Sequence, residues 1–493
     1  MLFRKSVNSI YYLLIFIIIA LGFYWRIKLY SFGFFPRTDE INLHFNIIDH
    51  SFLYYFHSLD GCQIAPPFYM MLNKLITLIF GHGIFAIHFF SVFCGCLSVF
   101  MFFMLLQKSF TSKLPVIIGM FLFSASIPLI FFSADFKPYI SDVLITIILL
   151  FIYDKINFET NKNFLCTALV FFFVPFFSFT SLFTFGAIIL SKGFDFYKDT
   201  DKKTKYLKLF ALTVLLFISA LIIYFINREV FVGINAGWNL GYINSFQSLV
   251  EVIKQFLDYM HLQFLVSLFL VIGTLLAFLK NKKYPRLCAI IILLQIIAAC
   301  INVYPFLERA SLYIIPAILL LLVSAGDFKA DKWFVIKTII FLYVIFASID
   351  PINLKKDLSD LSNIDDYQSR KLKWEESIAF LNMYQNGQKV ICYDDYWIIT
   401  LYYNKLNNYN HSFNHVAAFI EPLKGFDVIE KELTENKNDS YWVFGIYNSF
   451  LNDFIPVSKE DVKELIEKTG RPYKVYPTNN GDIYFLEKQE TKE

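Results

Sequence analysis

Charge is scarce in this sequence. Of 493 residues, 17% are charged, where a soluble domain carries about a quarter. The net charge of +3 is too small to point to a nucleic-acid partner. Cysteine is equally unhelpful: there are seven, and none form a CxxC pair. That removes the ligand spacing of a structural metal centre, and no metal is expected. Cys94 and Cys96 lie in an apolar run, where cysteine packs as a small hydrophobe. Cys62 and Cys392 alone fall outside the apolar spans and are the one pair for which a disulfide is considered. Internal repeats and low-complexity tracts are also missing.

Apolar residues fill the space that charge leaves. They make up 57% of the chain, with 59 Phe and 30 Tyr. A bilayer crossing needs about 20 apolar residues, and runs of that kind recur. The candidate spans are 10–29, 84–107, 114–132, 139–153, 164–178, 179–190, 209–226, 262–279, 287–302, 311–325 and 333–349, eleven in all. After the first run come Tyr24 and Trp25, which suit an interfacial belt better than a signal-peptide cleavage site.

Residues 164–190 read either as one long helix or as a hairpin near Pro175 and Ser178. Charge arbitrates. With a hairpin, segments 1–9, 108–113, 154–163, 191–208, 280–286 and 326–332 share one side and hold 18 Lys and Arg, against 8 on the other side. The positive-inside rule makes the 18-residue side cytoplasmic. Two long outer loops follow, 30–83 and 227–261. Within the first, Pro66-Pro67 suits a helix start. Residues 66–80 then read as an amphipathic helix at the membrane surface, broken by Gly81 and Gly83.

Composition changes after Asp350-Pro351. Residues 371–385 read as a helix, and 389–397 and 439–447 each hold a strand. A helix at 458–469 has Ser458 as N-cap, Asp461 at the capping-box position and Gly470 as C-cap. Strands 472–477 and 482–488 follow across an Asn-Asn-Gly turn. The fold class is therefore a polytopic α-helical membrane protein of about eleven helices, with a small C-terminal α/β domain. Residues 1–350 form the transmembrane part and 351–493 the soluble part, outside the cytoplasm.

Charged groups at a bilayer surface are often functional, and three outer clusters stand out. Arg37-Thr38-Asp39-Glu40 follows the first span and offers a carboxylate base, or simply acids at a helix start. Ser133-Ala134-Asp135-Phe136-Lys137-Pro138-Tyr139 places a cation beside a helix N-terminus, where free N–H groups attract anions. The bland reading is a snorkelling lysine. Glu308-Arg309 sits in a short loop, alone an ordinary charge pair.

In this order, the stretches TDEINLHFNIIDHSF (38–52), SLDGCQIAPPFYMMLNKLITLIFG (58–81) and FFSADFKPYISDVL (131–144) resemble the polytopic glycosyltransferases of the GT-C superfamily, family 39. That family includes protein O-mannosyltransferases and is related to the lipid A aminoarabinose transferase. LERASLYIIPAILLL (307–321) is a weaker echo. The resemblance is good over 1–155 and loose to about 350. It implies a polyprenyl-phosphate sugar donor, no other cofactor, and a glycan, lipid or protein acceptor. It also implies catalysis on the outer face of the plasma (bacterial inner) membrane. Asp39 falls at the catalytic acid, Glu40 at its acidic neighbour, and Lys137 and Arg309 at donor-phosphate positions, with Arg37 a further candidate. Gln63, Asp135, Tyr139 and His88 are substrate-cavity candidates. The chain departs from the family at Ala65, where aminoarabinose transferases have Lys, at His88, where many have Arg, and at Leu43.

The chemistry is coherent on its own. An acceptor hydroxyl must lose its proton as it attacks, and one carboxylate serves. A phosphate leaving group needs cations where its charge grows, not the second carboxyl of a glycosidase. Backside attack inverts the anomeric centre. The competing readings are a transporter or flippase of a lipid-linked substrate, which would carry repeated halves and midplane charges, and a non-catalytic scaffold or glycan-polymer ligase.

Overall fold

The computed structural model describes residues 2–31, 38–61, 63–156, 160–197, 202–234, 242–260, 282–307, 309–324 and 327. Beyond these it describes 383, 389–392, 430–431, 433–436, 439–446, 459–478 and 481–488. The chain divides into two compact units. One is Met1–Phe34 with Asn46–Ser359, and the other is Phe35–Phe45 with Asp360–Glu493.

The first unit is helical. Its elements are α1 (Leu2–Ser31), the C-terminal part of α2 (Thr38–Asp49), α3 (Pro67–Phe80), α4 (Ile84–Ser109), α5 (Lys113–Ser124), α6 (Ile127–Phe131), α7 (Tyr139–Ile152), α8 (Asn161–Phe173), α9 (Ser181–Phe196), α10 (Lys202–Ile234), α11 (Phe246–Tyr259), α12 (Lys283–Cys300) and α13 (Ile315–Ser324). Four helices among the described residues are long and apolar enough to cross a membrane: Asn8–Ser31, Ile84–Ser109, Lys203–Val230 and Lys283–Cys300. The expected spans 262–279 and 333–349 lie outside the described residues. The expected span 114–132 is two helices, α5 and α6, because the chain turns at Ala125 and restarts with Pro128 in the first turn of α6.

The stretch 164–190 is interrupted. α8 ends in a tight turn at Val174–Phe176, and α9 restarts at Ser181. α9 returns to the end of the unit where α7 finishes, since Ser191 and Asp195 meet Tyr153 there. The sequence is therefore a hairpin, as the charge count favoured. The core runs between α4, α5, α7, α9, α12 and α13. Phe102 stacks on Phe123 and Phe171 lies against Phe185. α1 packs into it: Arg26 is 0% exposed and donates to the carbonyls of Gly22 and Ser124.

α3 begins at the Pro pair, with Pro66 as N-cap, and ends at Gly81 with φ +82, a conformation that favours glycine. Its two faces separate as an amphipathic surface helix requires. Tyr69, Met70, Asn73 and Thr77 are buried, while Leu75, Leu78, Ile79 and Phe80 are exposed. The polar Asn73 and Thr77 turn to the protein with Tyr69 and Met70, and an apolar strip faces outward, as a lipid-facing helix requires.

The second unit holds a four-stranded sheet of β1 (Lys389–Cys392), β2 (Tyr441–Ile446), β3 (Tyr473–Thr478) and β4 (Gly481–Leu486), in the order β1-β2-β4-β3. β1 and β2 are parallel, and β4 is antiparallel to both β2 and β3. Strand alternation puts Tyr441, Val443, Tyr484 and Leu486 on one face. They pack on Val462, Leu465 and Ile466 of α14 (Lys459–Lys468). Gly470, at φ +63, closes α14. Of the expected helix at 371–385 only residue 383 is described, and N-cap Ser458 and Cys62 lie outside the described residues.

Candidate active site

The site is built around the entry to α7. Pro138 occupies the N-cap position and its carbonyl accepts from the Asp142 amide and the Ser141 hydroxyl, at 2.9 and 2.7 Å. Lys137 precedes it, so its ammonium sits at the positive end of a helix, where an anion is favoured. The side chain is 7% exposed. A buried ammonium needs acceptors, and Lys137 Nζ donates to Gln63 Oε1 at 2.6 Å. Gln63 is itself oriented, since its Nε2 donates to the Gly61 carbonyl at 3.0 Å. With the amide nitrogen engaged, the amide oxygen is left to face the lysine.

Aromatic packing fixes the neighbouring residues. Phe136 is fully buried, with Tyr69 of α3 and His88 of α4 each 6.4 Å away between ring centres. His88 is thereby held one residue from Lys137 and is buried. Asp135 is buried as well. Tyr139 opens α7 with its ring edge-on to Phe132 at 5.3 Å. Arg309 lies partly exposed in the turn between α12 and α13. That turn leads into Leu312–Ile314, which packs on α7. Tyr313 is anchored there through its hydroxyl to Gln295 Oε1 at 2.5 Å, and Gln295 donates to the Pro305 carbonyl at 3.0 Å.

Sequence reasoning passed over Asp142. One turn beyond Lys137, this carboxylate is buried beside Ser178 and Thr180 from the turn before α9. Its signal was a lone acid in an apolar helix, which is costly and often functional.

The acids near position 40 fall in the second unit. α2 starts at Thr38, with Asp39 and Glu40 in its first turn, where acids suit the helix dipole. Glu40 is buried and Asp39 is half-buried. Arg37 and Glu308 lie outside the described residues. The other end of α2, in the first unit, is clamped. Lys74 of α3 donates to the carbonyls of Ile47 and His50 at 2.7 and 2.6 Å. Asn46 bridges the backbone of Asp60 in both directions, at 3.1 and 2.9 Å. His50 and Tyr54 close on the Asp60 carboxylate at 2.7 and 2.9 Å. Those bonds, His50 first and Tyr54 second, hold the Asp60 carboxyl below its ordinary value. Sequence reasoning missed Lys74 in this role, because its partners are backbone carbonyls that carry no sequence signature.

No protein-family model and no curated protein matches the chain. Solved structures do. ArnT from Cupriavidus metallidurans in the apo state aligns at TM-score 0.51 and 9% identity, over 98% of this chain and 98% of that one. The same protein bound to undecaprenyl phosphate aligns at 0.53 and 9%, over 96% and 97%. The archaeal oligosaccharyltransferase AglB from Archaeoglobus fulgidus, in complex with an inhibitory peptide and a dolichol-phosphate, aligns at 0.50 and 11%, over 98% and 74%. The chain shares the fold of ArnT and AglB, and four of its described helices are long and apolar enough to cross a membrane.

Proposed function

We propose that this chain is a membrane glycosyltransferase that moves a sugar from a polyprenyl-phosphate donor to the hydroxyl of a glycan, lipid or protein, with inversion. The observation that carries the reading is Lys137: a buried ammonium, oriented by Gln63, at the mouth of a helix N-terminus. It lies in a fold whose relative ArnT holds undecaprenyl phosphate. A phosphate monoester suits that cation and dipole together.

In this reading Asp39 is the general base and Glu40 its acidic partner. Lys137, Arg309 and Arg37 bind the donor phosphate, and Gln63, Asp135, Tyr139 and His88 line the substrate cavity. Residues 1–350 form the catalytic membrane domain, and 351–493 form a soluble domain on the outer face. Asp39, half-buried, is the acid of the pair that an acceptor hydroxyl can reach. Its removal costs about 10²–10⁴-fold in rate, the range for a positioned general base.

The test begins with mass spectrometry of surface glycans and lipids from a deletion strain, looking for one missing sugar. The wild-type gene restores that sugar. Asp39→Asn is expected to reach the membrane at wild-type level and restore none of it. Full restoration by Asp39→Asn removes Asp39 as the base. In a reconstituted transfer assay, Lys137→Ala is expected to raise the donor KM at least tenfold, and an unchanged donor dependence removes Lys137 from the site.

A further inference from the structure

The end of the first unit remote from Lys137 carries a second polar cluster. α7 spans 14 residues, about 21 Å of helix axis, and its far end leads into the turn Tyr153–Lys155. The C-terminal end of α4, that of α9 and the N-terminal end of α12 converge there.

Two carboxylates and four cations meet. Asp154 accepts from Lys283 at 2.6 Å and from Tyr284 at 2.5 Å, and lies 3.1 Å from Lys108. Burial alone would raise its carboxyl, but those three partners overturn that and leave it below the ordinary carboxylate range. Asp195 accepts from Arg286 at 2.5 Å and from the Tyr153 hydroxyl at 3.0 Å. Arg286 also reaches the Ser191 hydroxyl at 3.1 Å. Both acids are committed to these cations.

Lys192 is left over. Its side chain is 8% exposed, and its ammonium rests 4.5 Å from the centre of the Tyr153 ring. Among the described residues it makes no hydrogen bond or ion pair. Lys283, Asp195, Asp154 and Arg286 all lie within its electrostatic reach. Among the described residues that meet here, Lys108, Lys192, Lys283 and Arg286 outnumber Asp154 and Asp195 by two. A ring face offsets only part of the cost of burying an ammonium. The missing component is an anion with several acceptor oxygens, and basic pockets between membrane helices take acidic lipid headgroups.

We propose that this cluster binds the phosphate of an anionic phospholipid in the leaflet opposite Lys137, with Lys192 as its innermost contact. Phosphate oxygens replace the carboxylate that Lys192 lacks, and the Lys283 and Arg286 donors flank it. The assignment stands apart from the glycosyl-transfer reading, because no residue of the proposed catalytic set takes part.

The experiment uses the full chain, purified in detergent and stripped of lipid. Its unfolding midpoint is followed while phosphatidylglycerol, phosphatidylcholine or sodium phosphate is titrated in. The expected result is a saturable rise with phosphatidylglycerol alone. Lys192→Met is expected to weaken that response at least tenfold and Lys192→Arg to retain it, with Lys431→Ala in the second unit behaving as wild type. A Lys192→Met response equal to wild type overturns the proposal. An equal rise with sodium phosphate at the same concentration overturns the lipid assignment. A photoreactive phosphatidylglycerol headgroup on the unmutated protein gives a reading independent of any variant's folding. Labelling of the 191–197 or 282–287 peptides is expected, and labelling confined to other segments overturns the site.

Discussion

At the scale of single residues, each end of the first unit holds a buried lysine, Lys137 at one and Lys192 at the other. Lys137 donates to the neutral Gln63 amide, which holds its ammonium in place. Gln63→Leu is therefore expected to keep the fold and loosen the lysine. The donor KM should rise several-fold with kcat changed less, while Gln63→Glu should weaken donor binding more strongly by neutralising the ammonium. A second residue-scale case is Gly95 on α4. A Cβ there would lie 2.7 Å from the Ser133 Cβ and 3.3 Å from Arg26 Cδ. Gly95→Ala should cost about 1–3 kcal/mol, as core overpacking does, read as a lowered unfolding midpoint in detergent.

Among the elements, the clasp at the end of α2 is the pH-sensitive one. His50 and Tyr54 lower the Asp60 carboxyl beneath its ordinary 3.8. A depressed carboxyl stabilises above the unfolded value and loses that contribution as pH falls through the folded one. Hydrogen exchange in 50–61, corrected for intrinsic rates, should be steady from neutral pH down to about 4 and quicken below. Asp60→Asn should quicken it already at neutral pH and abolish the acid step. In the second unit, Arg471 holds the sheet to the preceding chain. It donates to the carbonyls of Leu433, Asn436, Asp439 and Glu487 and covers the Tyr441 ring. Lysine offers no planar fork, so Arg471→Lys should leave several carbonyls unsatisfied, at about 1–3 kcal/mol each. Faster exchange of β2 and β4 amides would report it. Helix and strand positions such as 66–80 or 472–477 were readable from apolar period and turn residues, because those signals are local. Lys74 on the Ile47 and His50 carbonyls, or Arg26 against Ser124, depended on chain segments meeting across long separations, which no local pattern encodes.

For the whole molecule, the decisive regularity was charge. The count of 18 against 8 chose the hairpin at 164–190, and the structure gathers Lys108, Lys192, Lys283 and Arg286 at one end of the first unit. Lys137, Gln63 and the start of α4 lie at the other. With native cysteines replaced, a thiol at exposed Leu53 and one at exposed Lys155 should label from opposite sides of sealed vesicles, and labelling from one side would refute the topology. The number of crossings was less legible. Several helices, such as α5 and α8 at 12 and 13 residues, are shorter than the roughly 20 residues a crossing needs, so apolar runs do not map one-to-one onto helices. In the sequence, Lys137 and Gln63 stood out through the motifs that carry the resemblance, and His88 as a departure from it. Asp142 was passed over although a lone acid in the apolar run 139–152 is a signal, because its neighbours Ser178 and Thr180 come from a distant segment.

The contact between position 95 and position 133 has a historical side. With so little room between that glycine and that serine, neither position can drift alone. Among descendants of a common ancestor, a larger residue at 95 should be accompanied by glycine at 133, and lineages keeping serine at 133 should keep glycine at 95. The pair would then leave a correlated footprint in an alignment deep enough to reveal it, written by steric exclusion and not by catalysis.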